Sequence, residues 1–204
     1  METLKTGDIL LFNEDASWSF MGLLGNLIKW GTHSNYTHVA MVLKDPTFIH
    51  PSLKGLYVWE SSWEGEPDPQ DGKIKLGVQI TPLHEILEAY RGKGHVYVRH
   101  LNIPHDQNPF RPSVLSTIHK AVYDKPYDIV PKDWWKAFTQ EETSPRIVNR
   151  FFCSALVAYI YTMAGVISPT SDWSIVRPTD FSLDGENLNF SEGYSLGKCQ
   201  VKMF

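Results

Sequence analysis

The run NRFFCSALVAYIYTMAG, residues 149–165, puts a thiol, Cys153, on the first turn of an apolar segment of helical length. A helix start presents unpaired backbone N–H groups and the positive end of the helix dipole. Both stabilise a thiolate, and the same N–H groups can hold the oxyanion formed when a thiolate attacks a carbonyl. Buried cysteines also serve as small inert hydrophobes, so position alone does not separate nucleophile from filler. The other cysteine, Cys199, lies in the tail GKCQVKMF without such surroundings and reads as structural.

A thiol nucleophile needs a base, and eight histidines compete for that role. His33, His50, His84, His105 and His119 have polar neighbours in loops or on helices, and solvated surface accounts for them. His95 and His100 flank a strand with no carboxylate at matching spacing. His38 differs because it opens the most apolar strand, THVAMVL (37–43), where an imidazole is costly to bury without a partner. A backbone carbonyl would satisfy it, and so would a carboxylate.

The next strand, LYVWE (56–60), offers Glu60. With the two strands paired as an antiparallel hairpin and Leu43 opposite Leu56, His38 faces position 61, and a shift of one residue makes its partner Glu60. Opposed side chains lie about 5 Å apart at Cβ, within reach of a carboxylate–imidazole hydrogen bond. Such a carboxylate fixes the imidazole tautomer and supports the imidazolium, the third role in a catalytic triad. The alternative for Glu60 is an exposed charge at a strand end.

These residues need elements to position them. GDILLF (7–12) is a short buried strand. SWSFMGLLGNLIKW (17–30) carries Phe20, Leu23, Leu24, Leu27 and Ile28 at helical spacing, interrupted by Gly22 and Gly25. PTFIHPSLKG is a loop between the two central strands. TPLHEILEAY (81–90) is a helix with Thr81 as N-cap and Pro82 at its first position. HVYVRHL (95–101) is a strand and SVLSTIHKAVY (113–123) an amphipathic helix. The Cys153 segment is apolar on nearly all sides and closed by Gly165, which predicts a central buried helix. VRPTDFS (176–182) is a turn. Strands come early and the longest helices late, which predicts an α+β fold with a mainly antiparallel sheet. No repeat or linker divides residues 1–204, so a single domain is expected.

The order and setting of the three residues resemble the circularly permuted branch of the NlpC-type papain-like hydrolases, the YiiX-like enzymes. In ordinary papain-like chains the cysteine helix precedes the histidine strand; here it comes after. GDILLF resembles the family's opening strand, NYTHVAMVL its histidine strand, VWES its acidic position and GVQITPLHEIL the segment after it. KPYD resembles the stretch before the cysteine, FFCSALV the nucleophile helix and RPTDF the closing turn. The resemblance implies Cys153 as nucleophile, His38 as general base and then acid, and Glu60 as the orienting residue. It also implies the backbone N–H of Cys153 as part of an oxyanion hole, Tyr36 and Tyr127 as cleft-lining, substrate-binding residues, and no metal or organic cofactor. Two positions depart from the family. Ala40 stands where glycine commonly follows His-Val, and Ala155 stands where an acid commonly follows Cys-Ser.

Composition narrows the partners. Of 204 residues 42% are apolar and 21% charged, as in globular proteins, and net charge is −4. The chain has no basic run, which argues against nucleic acid or an anionic membrane as partner. The start METLKTGDILLF lacks the features of a secretory signal, and no apolar run approaches the roughly 20 residues of a membrane span. Two cysteines without a CxxC pattern indicate neither a disulfide framework nor a zinc knuckle. A reducing, cytoplasmic setting is the expectation. Among the seven tryptophans, Trp59, Trp63, Trp134 and Trp135 are expected in the core and cleft wall, where they suit an apolar acyl or aromatic substrate group.

The expected function is therefore a cysteine hydrolase acting on an amide bond of a small peptide or amino-acid amide. Ester chemistry on a lipid-like substrate, as in the related lecithin–retinol acyltransferase branch, is the alternative that SFMGLLGNLI would suit. A non-catalytic binding or structural module of the same fold is the alternative that Ala155 leaves open.

Overall fold

The structure, a computed structural model, describes residues 3–14, 36–127, 151–185, 188–198 and 200–203. The helix expected over 17–30, together with His33, Trp134, Trp135 and Cys199, lies outside the described residues. The described chain is α+β, built on an antiparallel sheet. Five of its strands are β1 (Ile9–Glu14), β2 (His38–Lys44), β3 (Leu56–Ser62), β4 (Gly77–Pro82) and β5 (Gly94–Arg99). The short β6 (Leu101–Asn102) pairs with β7 (Ser195–Leu196), and β8 (Val201–Lys202) joins the main sheet. The six strands of that sheet run in the order β4-β3-β2-β1-β5-β8, and every pair is antiparallel.

Both faces of the sheet are covered, which explains why its central strands are apolar throughout rather than alternating. Ile9, Leu11, Val39, Met41, Leu43, Trp59 and Ile80 share one core with helix α3 (Cys153–Met163) and with Leu115, Ile118 and Val122 of helix α2 (Pro112–Val122). Leu10, Phe12, Ala40, Val42, Val58 and Val96 form the second core under Leu83 and Ile86 of helix α1 (Leu83–Tyr90). Every residue of α3 from Cys153 to Tyr161 is buried, as its all-round apolar pattern predicts. Gly165, at φ +76°, takes the left-handed conformation beyond the helix end.

Two local expectations change. The β2–β3 register pairs Met41 with Trp59, Leu43 with Tyr57 and Lys44 with Leu56, one residue away from the hairpin expected from the apolar runs. Turn chemistry decides this. Asp45 (φ +48°) donates its N–H to the carbonyl of Gly55 (φ +99°) at 2.7 Å, and Gly55 donates back to Asp45 Oδ1 at 2.7 Å. The strand therefore runs one residue past Leu43 before it turns.

Thr81 is not a helix cap. It belongs to β4, opposite Val58, and Pro82 occupies the N-cap position of α1 with no side-chain cap bond. The strand at 77–82 is absent from the expectations above. The alternation of Val78 and Ile80 with Gln79 and Thr81 is that of a strand, but the Thr-Pro start signal masks it.

The β2–β3 ladder stops at Met41 and Trp59. Beyond it, His38, Val39 and Ala40 stay paired to β1, while Glu60, Ser61 and Ser62 stay paired to β4. At this lapse the chain entering α3 is tied in: Ser61 Oγ donates to the carbonyl of Phe151 at 2.7 Å, and Phe151 N donates to the carbonyl of Pro126 at 3.1 Å. The cysteine helix thus begins where the histidine and glutamate strands part.

Candidate active site

Cys153, His38 and Glu60, drawn from α3, β2 and β3, meet at this lapse. All three are buried, with exposures of 1%, 6% and 0%. His38 Nε2 lies 2.8 Å from Glu60 Oε2, and Cys153 is near enough to the imidazole to act on its protonation. With Nε2 committed to the carboxylate, Nδ1 is the nitrogen left for the thiol. The ring rests against Phe12, with centroids 5.0 Å apart, which fixes its plane.

Register accounts for the His38–Glu60 contact. Extending the β2–β3 pairing places His38 across from Ser62, so Glu60 is its diagonal neighbour on the same face. Diagonal neighbours are about 7–8 Å apart at Cα, a span that a glutamate and an imidazole bridge together. The other carboxylate oxygen, Oε1, accepts a hydrogen bond from Thr81 Oγ1 at 2.8 Å, from the opposite diagonal on β4. Glu60 is therefore no exposed strand-end charge. Thr81 is a site residue that the sequence reading misses, because the Thr-Pro pair points to a cap; recognising 77–82 as a strand puts it on the face of Glu60.

Burial disfavours a charged imidazole, but hydrogen bonds and charge from Cys153 and then Glu60 outweigh it and raise the His38 pKa from 6.5 to about 10. His38 therefore carries its proton through the neutral range. The residue before Cys153, Phe152, is the helix N-cap and supplies no side-chain acceptor to the first turn. Ser154 Oγ donates to the carbonyl of Val176 at 2.7 Å, anchoring that turn from behind. Ala155, 2% exposed, is part of the core, and Ala40 packs in the second core beside Leu10 and Val42.

The structure places Tyr36 just before β2, with its ring edge-on to Tyr97 at 6.0 Å and its hydroxyl accepting from Gln200 Nε2 at 2.5 Å. Tyr127 is buried, and its backbone forms a parallel bridge to Phe151, two residues before the thiol. Trp59 is a core residue packed against Phe48 and His119, whereas Trp63 is 44% exposed.

Two histidines depart from their expected settings. His119 is half-buried, bonded to Gln70 Oε1 at 2.7 Å, and burial lowers its pKa. His100 does have a carboxylate: its Nδ1 lies 2.9 Å from Oδ2 of the fully buried Asp8, brought from the start of β1. Among the described residues no group of three or more His, Cys, Asp or Glu side chains is arranged to hold a metal ion. Among them, too, no helix is long and apolar enough to cross a membrane.

No family model matches the chain, and no curated protein matches it. Among solved structures it is similar to the metalloprotein YiiX from Escherichia coli O157:H7, with 19% identity and a TM-score of 0.47 over 95% of this chain and 96% of that one.

Proposed function

We propose that this protein is a cysteine hydrolase of the circularly permuted papain-like, NlpC-type kind, cleaving an amide bond in a small peptide or amino-acid amide. The observation that carries this reading is the buried cluster in which Glu60 holds the His38 imidazole beside Cys153. A buried thiol serving only as packing has no need of an imidazole held by a buried carboxylate.

In this mechanism His38 holds the Cys153 proton, and the sulfur attacks the substrate carbonyl carbon. The C=O electron pair moves onto oxygen, where the unpaired N–H groups at the start of α3 stabilise it. Collapse of that intermediate breaks the C–N bond as His38 passes its proton to the departing amine. An acyl-thioester on Cys153 remains. Water, losing a proton to His38, then attacks the thioester, and the carboxylic acid leaves as the thiol is restored. Glu60 accepts the Nε2 proton's hydrogen bond throughout and balances the imidazolium.

The test is turnover of a panel of peptide amides and phospholipids by wild type, Cys153→Ser and His38→Ala, with intact-mass detection of the acyl-enzyme. Both variants are expected to lose turnover, Cys153→Ser with wild-type stability and His38→Ala with lowered stability, because it leaves the buried Glu60 carboxylate without one of its donors. In wild type the adduct is expected on Cys153. Substantial activity in Cys153→Ser overturns the covalent mechanism. Turnover of lipid esters alone moves the substrate class, and no thiol-dependent turnover of any substrate leaves a binding module.

A further inference from the structure

We infer that Thr81 is a positioning residue of this site, holding the Glu60 carboxylate in the one orientation that serves His38. The inference rests on the hydrolase reading for its kinetic consequence, but its geometry stands apart from it.

Glu60 has no exposure to solvent, and Thr81 only 5%. A buried carboxylate stays anionic only when its oxygens are supplied with donors. Glu60 receives one on each oxygen: His38 Nε2 on Oε2 and Thr81 Oγ1 on Oε1, both at 2.8 Å. The donors come from opposite diagonals, His38 from the Ser62 end of the register and Thr81 from the Val58 end. The carboxylate plane is thus stretched between them. Without the hydroxyl, rotation about the last side-chain bond is restrained from one side only.

The directly opposed residue does not supply that second restraint. Gln79 pairs with Glu60 across β3 and β4, yet among the described residues its buried side-chain nitrogen has no hydrogen-bond partner. The N-cap of α1 is Pro82, and no side-chain hydrogen bond caps that helix among the described residues. Thr81 gives its single donor to Glu60 Oε1.

The experiment compares Thr81→Val, which keeps the shape and removes the donor, with Thr81→Ser, which keeps the donor. Three readouts are taken: kcat and KM, thermal unfolding, and the His38 imidazole titration by heteronuclear NMR. Thr81→Val is expected to lower kcat about tenfold, the loss of one hydrogen bond to a charged group, with KM little changed. It is also expected to move the His38 titration downward by about one unit, and Thr81→Ser to restore both. In a Glu60→Gln background the Thr81→Val effect on His38 is expected to vanish, because it acts through the carboxylate. If Thr81→Val fails to fold, Thr81→Ala, which also removes the donor, takes its place in both backgrounds, with the same outcomes expected.

A purely structural threonine lowers unfolding temperature while His38 titrates as in wild type, and that result overturns the inference. So does an equal Thr81→Val effect with Glu60 and with Gln at position 60. If no variant and no wild type turns over any substrate, the hydrolase reading fails, while the NMR comparison still decides the role of Thr81.

Discussion

Replacing Glu60 with Gln removes a charge while preserving shape, and the local geometry sets the size of the effect. The amide oxygen can still accept from His38 Nε2 and the amide nitrogen can donate to Thr81 Oγ1, so the positions of the 2.8 Å contacts survive. The loss is a negative charge beside an imidazolium buried to 6% exposure. An opposite charge at such range shifts a pKa by about 1–3 units. His38 should therefore fall from about 10 by that amount, staying raised because the larger of its two raising partners is Cys153. A histidine whose folded pKa exceeds its unfolded value adds stability that is complete below the unfolded pKa of 6.5 and is lost as pH rises through about 10. At about 1.4 kcal/mol per unit, Glu60→Gln is expected to be about 1.4–4 kcal/mol less stable than wild type near pH 6. That gap should close as pH passes about 10, where His38 is neutral in both. Glu60→Ala differs: it leaves His38 and Thr81 buried without the partner, a penalty of about 3–5 kcal/mol, so part of its deficit should persist at high pH. Urea unfolding at intervals across the pH range, beside an NMR titration of His38, reads both quantities. A Glu60→Gln deficit that is constant with pH, or a His38 titration equal to wild type, refutes the reasoning.

Iodoacetamide labelling read by mass spectrometry is expected to modify Cys153 faster than Cys199 below about pH 7, because His38 supplies a positive charge beside that sulfur; faster labelling of Cys199 reverses the assignment. Asp8→Ala is expected to cost about 2–4 kcal/mol in urea unfolding, since fully buried Asp8 accepts from Leu101 N at 3.0 Å, Lys5 N at 3.0 Å and His100 Nδ1 at 2.9 Å. Gly77→Ala is expected to cost at least about 1–3 kcal/mol, because its φ is +150° and its Cβ would lie 2.3 Å from the carbonyl oxygen of Lys125. An alanine variant as stable as wild type would mean that β4 does not approach residues 125–127 so closely.

The elements legible in the sequence are those whose burial is nearly complete. β1, β2, β3, β5 and α3 are runs that the two cores enclose, so apolarity alone marks them. Less is visible at the sheet's margins. β4 hides two polar site-facing residues behind a Thr-Pro signal, and β6, β7 and β8 are two residues each, too short to show a period. The His38–Glu60 pairing is legible as chemistry, since a buried imidazole needs an acceptor, but its register is not. The Asp45–Gly55 turn fixes that, and the hydrophobic pattern is blind to a left-handed aspartate. His100 and Asp8 stand 92 residues apart, and their contact arises because β1 and β5 are neighbours in the sheet. Spacing within a segment cannot report a partner delivered by topology.

The seating of α3 in the lapse between β2 and β3 also sets an order of events during synthesis. The strands that carry His38, Glu60 and Thr81 are complete by residue 82, and their hairpins pair over short stretches of chain. At roughly 5–20 residues per second, the sulfur-bearing helix emerges several seconds after them. His38 and the two residues that support it can be in register before Cys153 exists as part of the chain. Ser61 then acts as the receiving point, its hydroxyl waiting for the carbonyl of Phe151. A chain interrupted between β4 and α3 holds the histidine and the acid without the thiol. The Cys153 sulfur arrives after both, and Val176, which anchors its turn through Ser154, later still.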